Sequence, residues 1–197
     1  MIVEWFLVLA AYLIGSVPFA YVVPRAFAGV DVRLSGSRNV GAANVLRTTR
    51  LGIALLVVCL DVAKGAAAVA LARAAGADAG ILAAAAAASI VGHVYPVWLR
   101  LRGGKGVAVA CGAFVVLAPA ATVICVAVFA GVVWVSGYIS LGSVISTAVL
   151  APFTMVFDNP VPVTVSAAGV AALILFRHRA NIARIAAGTE RRIGQKA

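Results

Sequence analysis

Residues 51–71 read LGIALLVVCLDVAKGAAAVAL. This stretch of twenty-one residues carries two charges, Asp61 and Lys64, and is otherwise apolar or small. A helix rises about 1.5 Å per residue, so one of this length reaches across a hydrocarbon layer of about 30 Å. The pattern recurs on both sides. Trp5–Val23 precedes it, and Ile81–Val97, with the alanine block Ala83–Ala88, follows. Val107–Ser136 is too long for one pass and is expected to break at Pro119, because an interior proline removes a helical hydrogen bond. Ile139–Phe157 ends in the turn Asp158-Asn159-Pro160, and Val161–Phe176 is the last stretch. Composition agrees: 64% of the 197 residues are apolar and 11% are charged. A soluble domain carries about 25% charged residues, and disorder needs low hydrophobicity. The chain reads as an all-α polytopic membrane protein of about seven transmembrane helices, a single integral membrane domain over residues 1–197. Six passes with a long or re-entrant fourth is the alternative.

Sixteen Lys and Arg stand against six Asp and Glu, a formal charge of +10. Fourteen of the sixteen fall in three segments. Arg25, Arg33, Arg38, Arg47 and Arg50 follow the first stretch, and Arg100, Arg102 and Lys105 follow the third. Arg177, Arg179, Arg184, Arg191, Arg192 and Lys196 follow the last. The alternate connections hold Arg73 alone, near Asp78, and Asp158. Seven passes put all three basic segments on one side. The positive-inside rule then makes that side cytoplasmic, with the N-terminus outside and the C-terminus inside. Basic loops in such a protein report orientation, so no nucleic-acid partner is inferred. The first stretch is expected to be a span and not a cleaved signal, since Glu4 precedes it and Arg25 follows. Cys59, Cys111 and Cys125 lie within apolar stretches and read as small buried side chains.

The loops of the basic side are chemically unusual. Ser35-Gly36-Ser37-Arg38-Asn39-Val40-Gly41-Ala42-Ala43-Asn44-Val45-Leu46-Arg47 interleaves hydroxyls, amides, arginines and glycines. Glycines admit close backbone approach, successive N–H groups make anion nests, and arginine recognises phosphate bidentately. Gly103-Gly104-Lys105-Gly106 surrounds one lysine with flexible backbone, without the spacing of a nucleotide-binding P-loop. His93 lies close before it. Ser140 and Ser143 share a helix face, and Arg177-His178-Arg179-Ala180-Asn181 opens the tail. Asp61 and Lys64, three apart, either pair with each other or wall a polar cavity. Only Asp31 and Glu190 supply acid on this side. Magnesium sites use carboxylates, so the pattern speaks for anion binding without a metal.

Taken in order, these motifs resemble one family, the bacterial acyl-phosphate:glycerol-3-phosphate acyltransferases (PlsY). The resemblance runs from Gly15-Ser16-Val17-Pro18-Phe19 through Gly36-Ser37-x-Asn39-Val40-Gly41-Ala42-x-Asn44-Val45-Leu46-Arg47 and Leu60-Asp61-x-x-Lys64-Gly65. It continues through Gly92-His93-x-Tyr95-Pro96-Val97, Gly103-Gly104-Lys105-Gly106-Val107-Ala108, Ser140-Leu141-Gly142-Ser143 and Arg177-His178-Arg179-x-Asn181-Ile182. Arg38 stands where the family pattern has glycine, Ala43 where it has threonine and Ala180 where it has glutamate; Gly137 lacks a basic residue often found there.

The resemblance implies acyl transfer from acyl phosphate to glycerol 3-phosphate, giving lysophosphatidic acid and inorganic phosphate in the first acylation step of phospholipid synthesis. It implies a multi-pass protein of the bacterial cytoplasmic membrane, no cofactor, no metal and no covalent acyl-enzyme. Ser37 and His93 are the catalytic candidates: Ser37 at the phosphate or reacting centre, His93 orienting a substrate or moving a proton. Arg47, Lys105 and His178 are expected to hold phosphate, with Asn39, Asn44 and Asn181 as neutral donors. Gly103, Gly104 and Gly106 are expected to line the phosphate site, and Lys64 and Ser143 to face the same pocket. A small transporter of anionic solutes is the competing class. It is weakened because transporters often carry internal repeats, and none is visible.

Overall fold

A computed structural model describes residues 2–195. Lys196, counted above with the last basic segment, lies outside them. The described residues form ten α-helices and no strand. These are α1 (Ile2–Ser16), α2 (Phe19–Ala28), α3 (Ala42–Thr48), α4 (Leu51–Ala74), α5 (Ala79–Val94), α6 (Val107–Leu117), α7 (Pro119–Ser136), α8 (Ile139–Ala148), α9 (Leu150–Val156) and α10 (Val161–Ala186). Six helical stretches are long and apolar enough to cross a membrane, and α6 is a shorter apolar seventh. The break at Pro119 is present, with the proline opening α7, where its missing N–H costs nothing.

Three boundaries differ from expectation. The first stretch is not continuous: it breaks at Val17–Pro18 and resumes as α2. The third stretch leaves the α-helix at Val94, and Val97–Leu99 forms a 3₁₀ turn. The last helix runs to Ala186, beyond Phe176, because arginine and histidine end an apolar run without ending a helix. His178 and Asn181 therefore project from a helix and not from a loose tail. Cys59 is exposed on the outward face of α4, contrary to its reading as buried, while Cys125 is buried.

Helices cross closely where side chains are absent. A Cβ on Gly65 would fall 2.2 Å from the Val109 carbonyl oxygen, and one on Gly112 would fall 1.9 Å from that of Val62. α4 and α6 therefore touch backbone to backbone. Without a hydrophobic force between helices in lipid, such small-residue contacts supply the packing. The outward surface is apolar, with Trp134 91% and Trp5 69% exposed. The basic segments gather at one end of the bundle: Arg177 Nη2 donates to the Gly103 carbonyl, Ser140 to Glu190, and the Ile193 N–H to the Gly137 carbonyl. Arg73 lies at the other end and donates to the Val116 carbonyl.

Candidate active site

A cavity of about 820 Å³ opens among the basic loops and runs down between the helices. Ser37, Asn39, Asn44, Arg47, His93, Lys105, Gly106, Ser143, His178 and Asn181 all line it. Residues separated by more than 140 positions in sequence thus meet around one space. Deeper along α4, α6 and α7 the wall becomes apolar, with Val58, Val62, Phe114, Val126 and Phe129, and Leu150 of α9 completes it. Lys64, Gly103 and Gly104 do not line this cavity.

The first loop is built on Asn44. Its carboxamide oxygen accepts the Ser37 N–H at 2.8 Å, and its Nδ2 donates to the carbonyls of Val32 at 2.9 Å and Ser35 at 3.1 Å. With its side chain so engaged, Asn44 shapes the turn that presents Ser37 and Asn39. Helix α3 then carries Arg47 to the cavity wall. Gly36 has φ +60°, and a Cβ there would lie 2.3 Å from the Asn44 Oδ1. Arg38 also adopts the left-handed conformation, with φ 58°. Glycine takes that conformation freely, whereas another residue gives up about 1–2 kcal/mol. The arginine therefore keeps the turn at a modest cost, and its side chain is exposed and outside the cavity lining.

Lys105 follows the glycine pair and donates to Asn181 Oδ1. Asn181 Nδ2 donates in turn to Glu190 Oε1 at 2.6 Å. Glu190 is buried; its Oε1 also accepts from Ser140 Oγ at 2.8 Å, and its Oε2 from Arg184 Nε at 2.7 Å. Burial acts to raise the Glu190 carboxyl, and the three donors outweigh it, so the group is held below its ordinary range. The other acid of this end, Asp31, is taken up by Arg33 at 2.6 Å. The cavity is left with an excess of cations from Arg47, Lys105, Arg177, Arg184 and Arg191. Burial pushes the Lys105 ammonium down to about 8; Glu190 opposes this, and Arg184, Arg47 and Arg177 reinforce it.

This has a consequence for pH. A phosphate monoester is dianionic above its second pKa near 6. Its affinity here is expected to be steady up to about pH 8, where free Lys105 starts to lose its proton. Above that, binding must take up a proton, and affinity should fall by about tenfold per pH unit. Calorimetric titration with a phosphate monoester between pH 7 and 9.5 measures this. Lys105→Arg, which stays charged, should flatten the curve, and an equal fall in that variant would assign the pH dependence elsewhere.

His93 is buried beside Asp61 and Lys64. Lys64 Nζ stands 3.0 Å from His93 Nδ1 and 2.8 Å from Asp61 Oδ1, and donates to the Val17 carbonyl at 2.7 Å. An ammonium has only hydrogens to offer, so Nδ1 is the acceptor and Nε2 carries the ring proton. Asp61 pairs with Lys64 and lines the cavity, whereas Lys64 lies behind the wall. Gly104 packs on the His93 ring: a Cβ there would fall 2.2 Å from Nε2. His178 donates from Nδ1 to the Ile174 carbonyl at 2.8 Å, which leaves Nε2 for the cavity. Ser143 Oγ donates to the Ile139 carbonyl at 2.9 Å and keeps its lone pairs for the cavity.

Glu190, Arg184 and Arg191 belong to this site and were absent from the residues singled out by motif. In sequence, Arg184 and Arg191 stand only as members of the last basic segment, and Glu190 as its isolated acid.

A family model described as glycerol-3-phosphate acyltransferase matches residues 5–188. The glycerol-3-phosphate acyltransferase of Rubrobacter xylanophilus is 44% identical over 192 residues, covering 97% of this chain and 96% of the relative. Glycerol-3-phosphate acyltransferase 2 of Moorella thermoacetica is 45% identical over 194 residues, with 98% and 99% covered. The structure superposes on the crystal structure of PlsY (YgiH), an integral membrane glycerol 3-phosphate acyltransferase, in its glycerol 3-phosphate form. The TM-score is 0.92 at 39% identity, over 97% of this chain and 96% of that one. The lysophosphatidic acid form gives 0.90 at 38% identity, over 97% and 95%. With its fold, its loop motifs and its whole length in agreement, the chain belongs to the PlsY family of integral membrane glycerol-3-phosphate acyltransferases.

Proposed function

We propose that the protein transfers an acyl group from acyl phosphate to the 1-hydroxyl of sn-glycerol 3-phosphate. The single observation that carries this reading is the composition of one cavity. Its loop end is rich in cations and glycine backbone, and its deep end is apolar. Two phosphorylated substrates suit the first and an acyl chain suits the second. Relatives known as glycerol-3-phosphate acyltransferases over almost the full length support the acceptor. The donor rests on the motif resemblance and on the chemistry of the site.

In the reaction, the glycerol hydroxyl oxygen bonds to the acyl carbon, and the carbon–oxygen bond to phosphate breaks. The departing phosphate takes the hydroxyl proton, giving lysophosphatidic acid and inorganic phosphate. Acyl phosphate is already activated, so the protein's part is to position the reactants and stabilise developing charge. Lys105, Arg47 and His178 hold phosphate, with Asn39 and Asn181 beside them. Ser37 stands at the reacting centre, Ser143 lines the same cavity, and Gly106 leaves room at the start of α6. His93 orients, because its Nδ1 lone pair is given to Lys64 and is not free to take a proton. Asn44, Gly103, Gly104 and Lys64 serve by holding the loops. The basic end faces the cytoplasm and the N-terminus the outside, in the bacterial cytoplasmic membrane, in line with the positive-inside rule.

The test supplies purified protein with glycerol 3-phosphate and either acyl phosphate or acyl-CoA. Lysophosphatidic acid should form from acyl phosphate, with stoichiometric phosphate release. Product from acyl-CoA alone would replace the donor, and product from neither would sink the reading.

A further inference from the structure

We propose that Lys64 is a positioning residue that fixes His93 and, through His93, the Gly103–Gly104 turn that presents Lys105 to the phosphate. The inference rests on the acceptor assigned above and adds a role for a group that does not touch the cavity.

Lys64 is 5% exposed and sits among three acceptors from three different elements. These are the Val17 carbonyl at the break between α1 and α2, Asp61 Oδ1 one turn away on α4, and His93 Nδ1 on α5. Two of the ammonium's three hydrogens go to the Val17 carbonyl and His93 Nδ1, and its charge is paired with Asp61. Burying a charge costs several kcal/mol unless it is paired and hydrogen-bonded. A lysine whose only task was to join helices would be matched by an apolar side chain, so its retention in this surrounding points to what it holds.

What it holds is the imidazole. With Nδ1 given to Lys64, the ring cannot turn without breaking that contact. Its other edge packs on Gly104, and its backbone carbonyl accepts the Gly104 N–H at 3.1 Å. The Val94 carbonyl accepts the Gly103 N–H at 3.1 Å. The same Cβ would also come 2.7 Å from the Val40 carbonyl oxygen, so the ring edge and the first loop meet over one face of Gly104. Gly104 is thus packed against both the His93 ring and the segment leading to α3 and Arg47. The next residue is Lys105. A ring free to rotate would loosen the seat of both phosphate cations, although neither touches Lys64.

The test is a double-mutant cycle read as affinity for glycerol 3-phosphate, by calorimetry on purified protein in detergent. Lys64 is changed in two ways: Lys64→Gln alone, and Lys64→Met together with Asp61→Asn, which removes both buried charges and leaves neither unpaired. Each is expected to weaken binding on the order of tenfold or more, the usual result of misplacing a contact group by a fraction of an ångström. In the His93→Ala background the same changes should add nothing, because their path runs through the ring. A role confined to helix packing would lower thermal stability without changing affinity of the folded protein, or would weaken binding equally in both backgrounds. Either result overturns the proposal, as does failure of both Lys64 variants to give folded, monodisperse protein. Wild-type protein that does not bind glycerol 3-phosphate overturns the acceptor assignment itself. Unchanged affinity in the variants of a wild type that binds overturns the positioning role alone.

Discussion

Lys105→Ala is expected to lower kcat/KM for acyl transfer by about 10²- to 10³-fold, the usual cost of removing one preorganised charge-stabilising donor. The ammonium is partly buried, follows directly on the glycine pair and is aimed by Asn181. Burial strengthens its field on any phosphate in the cavity, because the interior screens charge less than water does. Arg47 reaches the same cavity from α3 by a separate route, so Arg47→Ala should cost a comparable factor. The two differ in how they respond to conservative replacement. Lys105→Arg keeps the charge but substitutes a planar fork for a compact ammonium, and the space beside Asn181 is shaped for the latter. Partial recovery is expected there, mostly in KM. Neither alanine change should impair folding, since each removes a cation from a crowded cationic end. Rates on folded protein, checked by gel filtration and thermal melting, decide the matter. Near-wild-type turnover in either variant removes that residue from the site.

The sequence carried the membrane architecture because hydrocarbon imposes it residue by residue. Charges are excluded from lipid, so the gaps between apolar runs fall where helices turn, and Pro119 marks the break inside the longest run. The same logic does not mark ends of helices that project into water, and α10 continues past the point where its apolar pattern stops. The break at Val17–Pro18 was equally hidden, because both sides of it are apolar. Among the residues that meet at the cavity, Ser37, Asn39, Arg47, Lys105, His178 and Asn181 are legible, since anion nests draw on few residue types in glycine-rich settings. What each does there was less legible. Asn44 looked like a ligand donor and turns out to spend its amide on backbone. Gly103 and Gly104, read as lining the phosphate site, pack on His93 and lie outside the cavity lining. Roles of that kind depend on contacts across 12 to 76 positions of sequence, which spacing along one segment does not encode.

Glu190 is the clearest case, and changing it should have the second-largest effect. Three donors from three places converge on its carboxylate: Ser140 on α8, Asn181 on α10 and Arg184 one turn beyond. Glu190→Ala leaves Ser140 and Asn181 buried without that acceptor, at about 1–3 kcal/mol each. Arg184 is about half exposed and can turn to water, so its share is small. The freed Asn181 no longer fixes the Lys105 ammonium, and activity should fall by about 10²-fold, comparable to misplacing a reacting group by an ångström. Glu190→Gln separates charge from shape. Its amide oxygen can still accept from Ser140 or Asn181, so the fold should survive. The charge is gone, however, and Glu190 is the group that opposes the downward push on Lys105, while Arg184, Arg47 and Arg177 continue to repel it. The sign follows directly: without the carboxylate, the Lys105 ammonium gives up its proton more readily. The pH at which glycerol 3-phosphate affinity begins to fall should therefore move below about 8 in Glu190→Gln. An unchanged break, with wild-type affinity at pH 7, would show that the carboxylate serves the tail alone and has no part in keeping the phosphate-binding lysine charged.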